Sequence, residues 1–204
     1  MVQPYELTGR TRQKRRTRDA LVATAIRLLG QGLTPSVEQV AEEAGVSRPT
    51  AYRYFPNQRA LLVAAQPRLD APSLLPPDAP ADPRERLQLV VATYTGWLVE
   101  WEPQLRVSLR LSLDSPVGQD RLRMREGRAI GWISDALSPL AGLRPDDIRQ
   151  LATAIRSAVG IEAFVWLVDV AGMPRSEAIE LMRWSALAMY DAAIGPLGTP
   201  PTAP

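Results

Sequence analysis

Apolar residues recur at helical spacing along almost the whole chain, and no segment alternates apolar and polar residues over a useful length. Leu21, Ala25, Leu28 and Leu29 make one stripe on a helix over about residues 15–31, which Gly30 and Gly32 end. Val37, Val40, Ala41 and Ala44 repeat the spacing on a short second helix. Its start, Ser36-x-x-Gln39, is a capping box in which each side chain satisfies the other residue's backbone N–H. Short helices over about 48–54 and 57–66 follow. Residues 67–83 then carry six prolines in seventeen positions, which excludes a helix because each removes a donor and clashes with the preceding turn. Asp82-Pro83-Arg84-Glu85 restarts the pattern with a cap, a first-turn proline and a closing acid. Helices are predicted over about 83–101, 103–113, 119–137, 146–171 and 175–194, so the fold class is all-α.

Function classes are narrowed by what the chain lacks. Among its 204 residues there is no cysteine and no histidine, and Lys14 is the only lysine. Thiol nucleophiles, disulfides, Cys/His zinc sites and imidazole-dependent triads are excluded. The chain is read as a non-enzyme with no cofactor and no metal. No stretch reads as a run of the roughly 18 apolar residues that a membrane span needs, and no apolar run follows the charged N-terminus as in a signal peptide. A cytoplasmic, nucleoid-associated location is expected.

Charge is unevenly spread. The net charge is +2, yet residues 1–66 hold ten basic and five acidic side chains. Six of the basic ones, Arg10, Arg12, Lys14, Arg15, Arg16 and Arg18, crowd together before Asp19. A basic head on a slightly acidic body suits a polyanion partner. The preference for arginine carries less information, since it runs through the whole chain.

Residues 37–55, VEQVAEEAGVSRPTAYRYF, bring the head into focus. Ala41 is small enough for a second helix to approach closely. Gly45 sits where the helix must end in a left-handed C-cap. Val46 plugs the angle, Ser47 is an N-cap, and Pro49 falls in the next first turn. Ala51 and Phe55 share the inner face, leaving Arg48, Pro49, Tyr52 and Arg53 opposite, with Thr50 near the N-terminal end. This is the layout of a helix-turn-helix, a supporting helix and a second helix whose exposed face enters a major groove. The competing reading is an ordinary helical hairpin.

The stretch RDALVATAIRLLGQGLTPSVEQVAEEAGVSRPTAYRYFPNQRALLVAA, through about residues 15–65, resembles the DNA-binding domain of the tetracycline-repressor (TetR) family of transcription regulators. The resemblance implies a homodimer of two-domain subunits. An N-terminal three-helix helix-turn-helix domain binds a near-palindromic operator, and a C-terminal helical bundle dimerises and holds a small-molecule effector. The domains expected are a basic flexible arm at 1–14, the DNA-binding domain at 15–66, a Pro-rich connector at 67–82, the ligand-binding and dimerisation domain at 83–196, and a disordered tail at 197–204.

Carried over position by position, the resemblance assigns DNA contacts to Ser36, Arg48, Pro49, Thr50, Tyr52, Arg53, Tyr54 and Gln58; side-chain chemistry adds Ser47, and the basic cluster adds Arg15 and Arg16. Arg48 and Arg53 suit guanine edges, and Pro49 and the Thr50 methyl suit thymine methyls. Ser36, Ser47, Tyr52 and Tyr54 suit phosphates. Tyr54 stands where the family usually has a histidine and Gln58 where it usually has a phosphate-gripping lysine. Arg59 or the arm is a candidate to compensate.

In the second half, 146–171 reads as one long helix that is apolar nearly all round from Ser157 onward, and the 175–194 helix carries apolar groups on several faces. This pair is expected to form the dimer interface, through Val159, Ala163, Leu181, Trp184 and Leu187. Tyr94, Trp97 and Trp101 form one aromatic stripe. They suit either ordinary core or, with Met124, Trp132, Phe164 and Trp166, a pocket for a hydrophobic or aromatic effector. Arg121, Arg125 and Arg128 suit an anion or a solvated face. Glu162 and Asp169 suit a cationic ligand or pairing with an arginine such as Arg156. The expected function is a dimeric DNA-binding transcription regulator, a ligand-released repressor. The alternative is an architectural or protein-interaction factor without an effector.

Overall fold

The structure, a computed structural model, describes residues 4–66, 71–113 and 128–194. Every regular element among them is helical, as the spacing predicts. The chain divides into two compact units. One comprises Met1–Arg68 with Pro103–Met124, the other Leu69–Glu102 with Arg125–Pro204.

The first unit opens with α1 (Pro4–Gly30), followed by α2 (Val37–Glu43), α3 (Arg48–Tyr54) and α4 (Gln58–Ala64). The expected stripes form its core. Leu21, Ala25, Leu28 and Leu29 of α1 meet Val40 and Ala41 of α2, Ala51 of α3, Phe55, and Leu61 and Leu62 of α4. Helix α1 begins at Pro4, so from there the basic segment expected as a flexible arm is helical. Its 27 residues reach about 40 Å. Between Arg10 and Arg18 nothing interrupts the helix, because Arg, Lys and Gln are all good helix formers.

A further helix, α6 (Glu102–Leu113), joins this unit from Pro103 onward, although the chain division at 67–82 had placed it with the C-terminal body. Leu111 and Val107 complete the N-terminal core. The Arg59 guanidinium donates to the Leu111 carbonyl at 3.2 Å, and the buried Gln104 amide reaches the Ile26 carbonyl at 3.5 Å.

The second unit contains α5 (Pro83–Glu100), α7 (Arg128–Leu137), α8 (Pro145–Val159), α9 (Ile161–Val165), a π-helical turn (Trp166–Val170) and α10 (Arg175–Ile194). Helix α5 starts as its sequence predicts, with Asp82 accepting from the Glu85 N–H and Pro83 in the first turn. Helix α10 packs on α5 and α8, and α7 packs on the same two. Leu87, Leu98, Ile133, Leu137, Leu151, Ile155, Phe164 and Met182 are among the large side chains fully enclosed there.

The single helix expected over 146–171 is broken. Gly160 is extended (φ −84°, ψ 171°) and caps α9. Across the break Arg156 pairs with Glu162 at 3.2 Å. A Cβ on Gly160 would fall 1.6 Å from Arg156 Nη1 and 2.4 Å from Glu162 Oε2, so the pair fills the space that any other residue would take. The absence of a span-like stretch also needs correction. Pro145–Val170 contains an 18-residue window of mean hydropathy 1.6, enough to cross a membrane by length and composition alone. A count of uninterrupted apolar residues misses such a window because it tolerates isolated charges. Here the segment is interrupted by the extended Gly160, and it buries Leu151, Ile155, Val159 and Phe164 within the unit.

Candidate nucleic-acid interface

Helix α2 is fixed at both ends by local chemistry. Ser36 Oγ accepts from the Gln39 N–H at 3.2 Å, and Gln39 Oε1 accepts from the Ser36 N–H at 2.8 Å. At the other end Gly45 takes φ +64°, a conformation L side chains rarely adopt. There the Val46 N–H reaches back to the Ala41 carbonyl at 2.9 Å. Such 6→1 closure turns the chain sharply into α3. Ala41 and Ala51 are fully buried where the two helices meet, and Phe55 anchors the far end of α3. The Arg18 guanidinium lies 5.5 Å from the Phe55 ring and ties α1 to that end.

The opposite face of α3 is open. Arg48, Pro49 and Arg53 are exposed, Tyr52 is 40% exposed, and Thr50 and Tyr54 are half-buried. Ser47 occupies the N-cap position without making the expected cap bond. Its hydroxyl donates to Thr50 Oγ1 at 2.9 Å instead. Tyr54 packs against the core, with the Arg53 guanidinium 5.7 Å from its ring. On α1, Arg12, Lys14, Arg15 and Arg16 are exposed, and Arg15 lies 3.6 Å from Asp19.

Two contacts were not foreseen. The Tyr52 hydroxyl donates to the Glu38 carboxylate in the first turn of α2. That bond holds the Glu38 carboxyl below the usual carboxylate range and pushes the Tyr52 phenol up. Residues fourteen apart on different helices leave no mark on local periodicity. The Gln58 amide donates to the carbonyls of Thr34 (3.3 Å) and Pro35 (3.0 Å), clamping the loop before α2. In this arrangement the Gln58 amide nitrogen positions the loop that leads into α2. Arg59 is likewise engaged with α6.

In the second unit the aromatic stripe is contiguous. Ring centroids are 6.2 Å apart for Tyr94 and Trp97, 6.5 Å for Trp97 and Trp101, and 6.3 Å for Tyr94 and Trp132. The Arg156 guanidinium lies 5.8 Å from the Tyr94 ring. Trp132 is buried with its indole N–H on the Ala71 carbonyl at 2.9 Å, and Phe164 is fully buried. Trp166 does not join them, being 58% exposed. Met124, Arg121 and Arg125 lie outside the described residues. Glu162 takes the arginine pairing with Arg156. Of the residues expected at a subunit interface, Trp184 is 66% exposed, and Ala163, Leu181 and Leu187 are half-buried. Val159 is a correction. It faces the core of its own unit and is fully buried, on the same helical face as Leu151 and Ile155.

A capped supporting helix, a glycine turn and a second helix with an exposed arginine- and tyrosine-bearing face define a helix-turn-helix DNA-binding unit. Residues 21–65, which run from within α1 to the end of α4, match the family model described as bacterial regulatory proteins, tetR family, and this segment is similar to the DNA-binding domain of those transcription regulators. No curated protein is significantly similar to the chain.

Proposed function

We propose that the protein is a cytoplasmic homodimeric repressor that binds a near-palindromic operator and is released by a hydrophobic or aromatic effector. The observation that carries the DNA half of this reading is the exposed face of α3, with Arg48, Pro49, Tyr52 and Arg53 turned away from a core that holds Ala51 and Phe55. In the roles proposed, Arg48 and Arg53 read guanine edges, and Pro49 and Thr50 lie against thymine methyls. Ser36, Ser47, Tyr52 and Tyr54 serve phosphates, as do Arg15 and Arg16 from α1. Gln58 holds the loop that presents Ser36.

Dimerisation is supported by the exposed apolar surface of α10 and the π-helical turn. Trp166 is exposed and lines a shallow notch of about 240 Å³ with Ala158, Ala163, Leu181 and Ser185 among others, and Val170 is exposed in the same turn. Trp184 lies one residue before Ser185 and is itself exposed. Large exposed apolar side chains grouped around a notch mark interaction surfaces. A two-fold axis would set two copies of α3 about 34–36 Å apart, one helical turn of DNA. Effector release then requires a ligand that binds one dimer shape better than the other. A second reading, a dimeric DNA-binding factor without an effector, is favoured by the full burial of Phe164 and the satisfied indole of Trp132, which make those residues packing rather than pocket.

Selection of bound duplexes from a random library by the full chain, with sedimentation of the protein alone, tests the first part. Enrichment of an inverted repeat by a dimer is expected. Enrichment of nothing, or tight binding of single sites by a proven monomer, overturns it. Thermal unfolding against a panel of aromatic and hydrophobic small molecules separates the two readings, because a bound effector raises the midpoint by mass action.

A further inference from the structure

We propose that Glu38 is a specificity-determining residue of the DNA-binding surface, withholding the Tyr52 hydroxyl from phosphate until α3 is fully seated on its site. The inference rests on the DNA-binding reading of α3. Glu38 lies in the first turn of α2, two positions after the N-cap Ser36, and Tyr52 lies on the exposed face of α3. The hydroxyl donates to the Glu38 carboxylate. A phenol has one proton to donate, so the same hydroxyl cannot also serve a phosphate. A bond to an ionised acceptor is stronger than one between neutral groups. A phosphate therefore displaces Glu38 only where the docked geometry brings it into good alignment.

Glu38 also places a negative charge on a surface that must approach a polyanion. On a duplex that engages only the basic side chains, Tyr52 stays with Glu38 and the repulsion is uncompensated. On a fully seated site, a phosphate takes the Tyr52 donor, and the cation Arg48, exposed at the start of α3, offsets the freed carboxylate. The pair therefore penalises loose docking more than correct docking. A unit charge about 7 Å from a phosphate in water weakens binding about threefold, hence about tenfold for the two subunits of a dimer.

The test uses the full chain, its Glu38→Gln and Tyr52→Phe variants, a random-sequence duplex of about 30 base pairs, and a duplex pool enriched by the wild-type chain, with affinities read by fluorescence anisotropy at one salt concentration. Glu38→Gln is expected to tighten the random duplex about tenfold and the enriched pool less than threefold, so discrimination falls. Tyr52→Phe is expected to weaken the enriched pool more than about fivefold, and by a larger factor than it weakens the random duplex. Equal tightening of both duplexes by Glu38→Gln overturns the inference, as does no change or weakening of both. A wild-type chain that binds neither duplex overturns the DNA-binding reading itself, which the other outcomes leave standing.

Discussion

Replacing Gly160 by alanine tests how the Arg156–Glu162 pair and the helix break depend on each other. The Gly160 backbone angles are open to alanine, so no backbone strain is expected. The obstacle is the side chain, since the new Cβ would lie 1.6 Å from Arg156 Nη1 and 2.6 Å from its Cζ. Arg156 must leave, which breaks the 3.2 Å pair with Glu162 and withdraws the guanidinium from the Tyr94 ring. Breaking a buried pair costs about 3–5 kcal/mol. The side chains here are 22% and 38% exposed, so water recovers part of that and the low end applies. Alanine returns up to about 1 kcal/mol by restricting the unfolded chain. A net loss of about 2 kcal/mol is expected, seen as a fall of roughly 4–8 °C in the thermal midpoint. In an Arg156→Ala background the same substitution should cost clearly less, because only the Glu162 carboxylate, 2.4 Å from the new Cβ and no longer held by Arg156, remains to swing aside. Equal losses in the two backgrounds would refute the reasoning.

Three further outcomes are expected. Gly45→Ala should destabilise the protein by about 1–2 kcal/mol in urea unfolding, because Gly45 sits at φ +64°, and Gly45→Asn should cost less. Neutralising Arg12, Arg15 and Arg16 together should flatten the log–log salt dependence of duplex binding by roughly 5 for a dimer that loses about three phosphate contacts per subunit, and an unchanged slope would deny these residues any phosphate role. The Asp191 carboxyl is held below its ordinary value by the hydrogen-bonded Arg84 guanidinium. Its contribution is thus complete above the unfolded carboxylate value of about 4 and is lost as pH falls through the lowered one. Asp191→Asn should remove that part of the acid limb of stability and leave the profile above pH 6 parallel to wild type.

The reading head was legible because its determinants are local. Ser36 and Gln39 close a box three residues long, Gly45 ends a helix where only a left-handed cap fits, and the spacing of Val40, Ala41, Ala51 and Phe55 fixes which face is inward. From these the exposure of Arg48, Pro49, Tyr52 and Arg53 follows. What periodicity could not reveal depends on partners far along the chain. Tyr52 meets Glu38 on another helix, and Gln58 meets carbonyls more than twenty residues earlier. Helix α6 joins the first unit because Leu111 and Val107 fill its core, a match of shape that no linker announces. The break at Gly160 was hidden for a related reason. One glycine inside a strongly apolar helical pattern is tolerated on average, and the Arg156–Glu162 pair that occupies the space beside it leaves no mark on apolar periodicity.

The account turns on the exposed face of α3 lying in the major groove, and interference by guanine N7 methylation measures this directly, since N7 opens only into that groove. With the enriched duplex, methylation at guanines in both half-sites should abolish binding by the wild-type chain, and Arg53→Ala should lose sensitivity at one guanine of each half. Undiminished binding to fully N7-methylated duplex would contradict it.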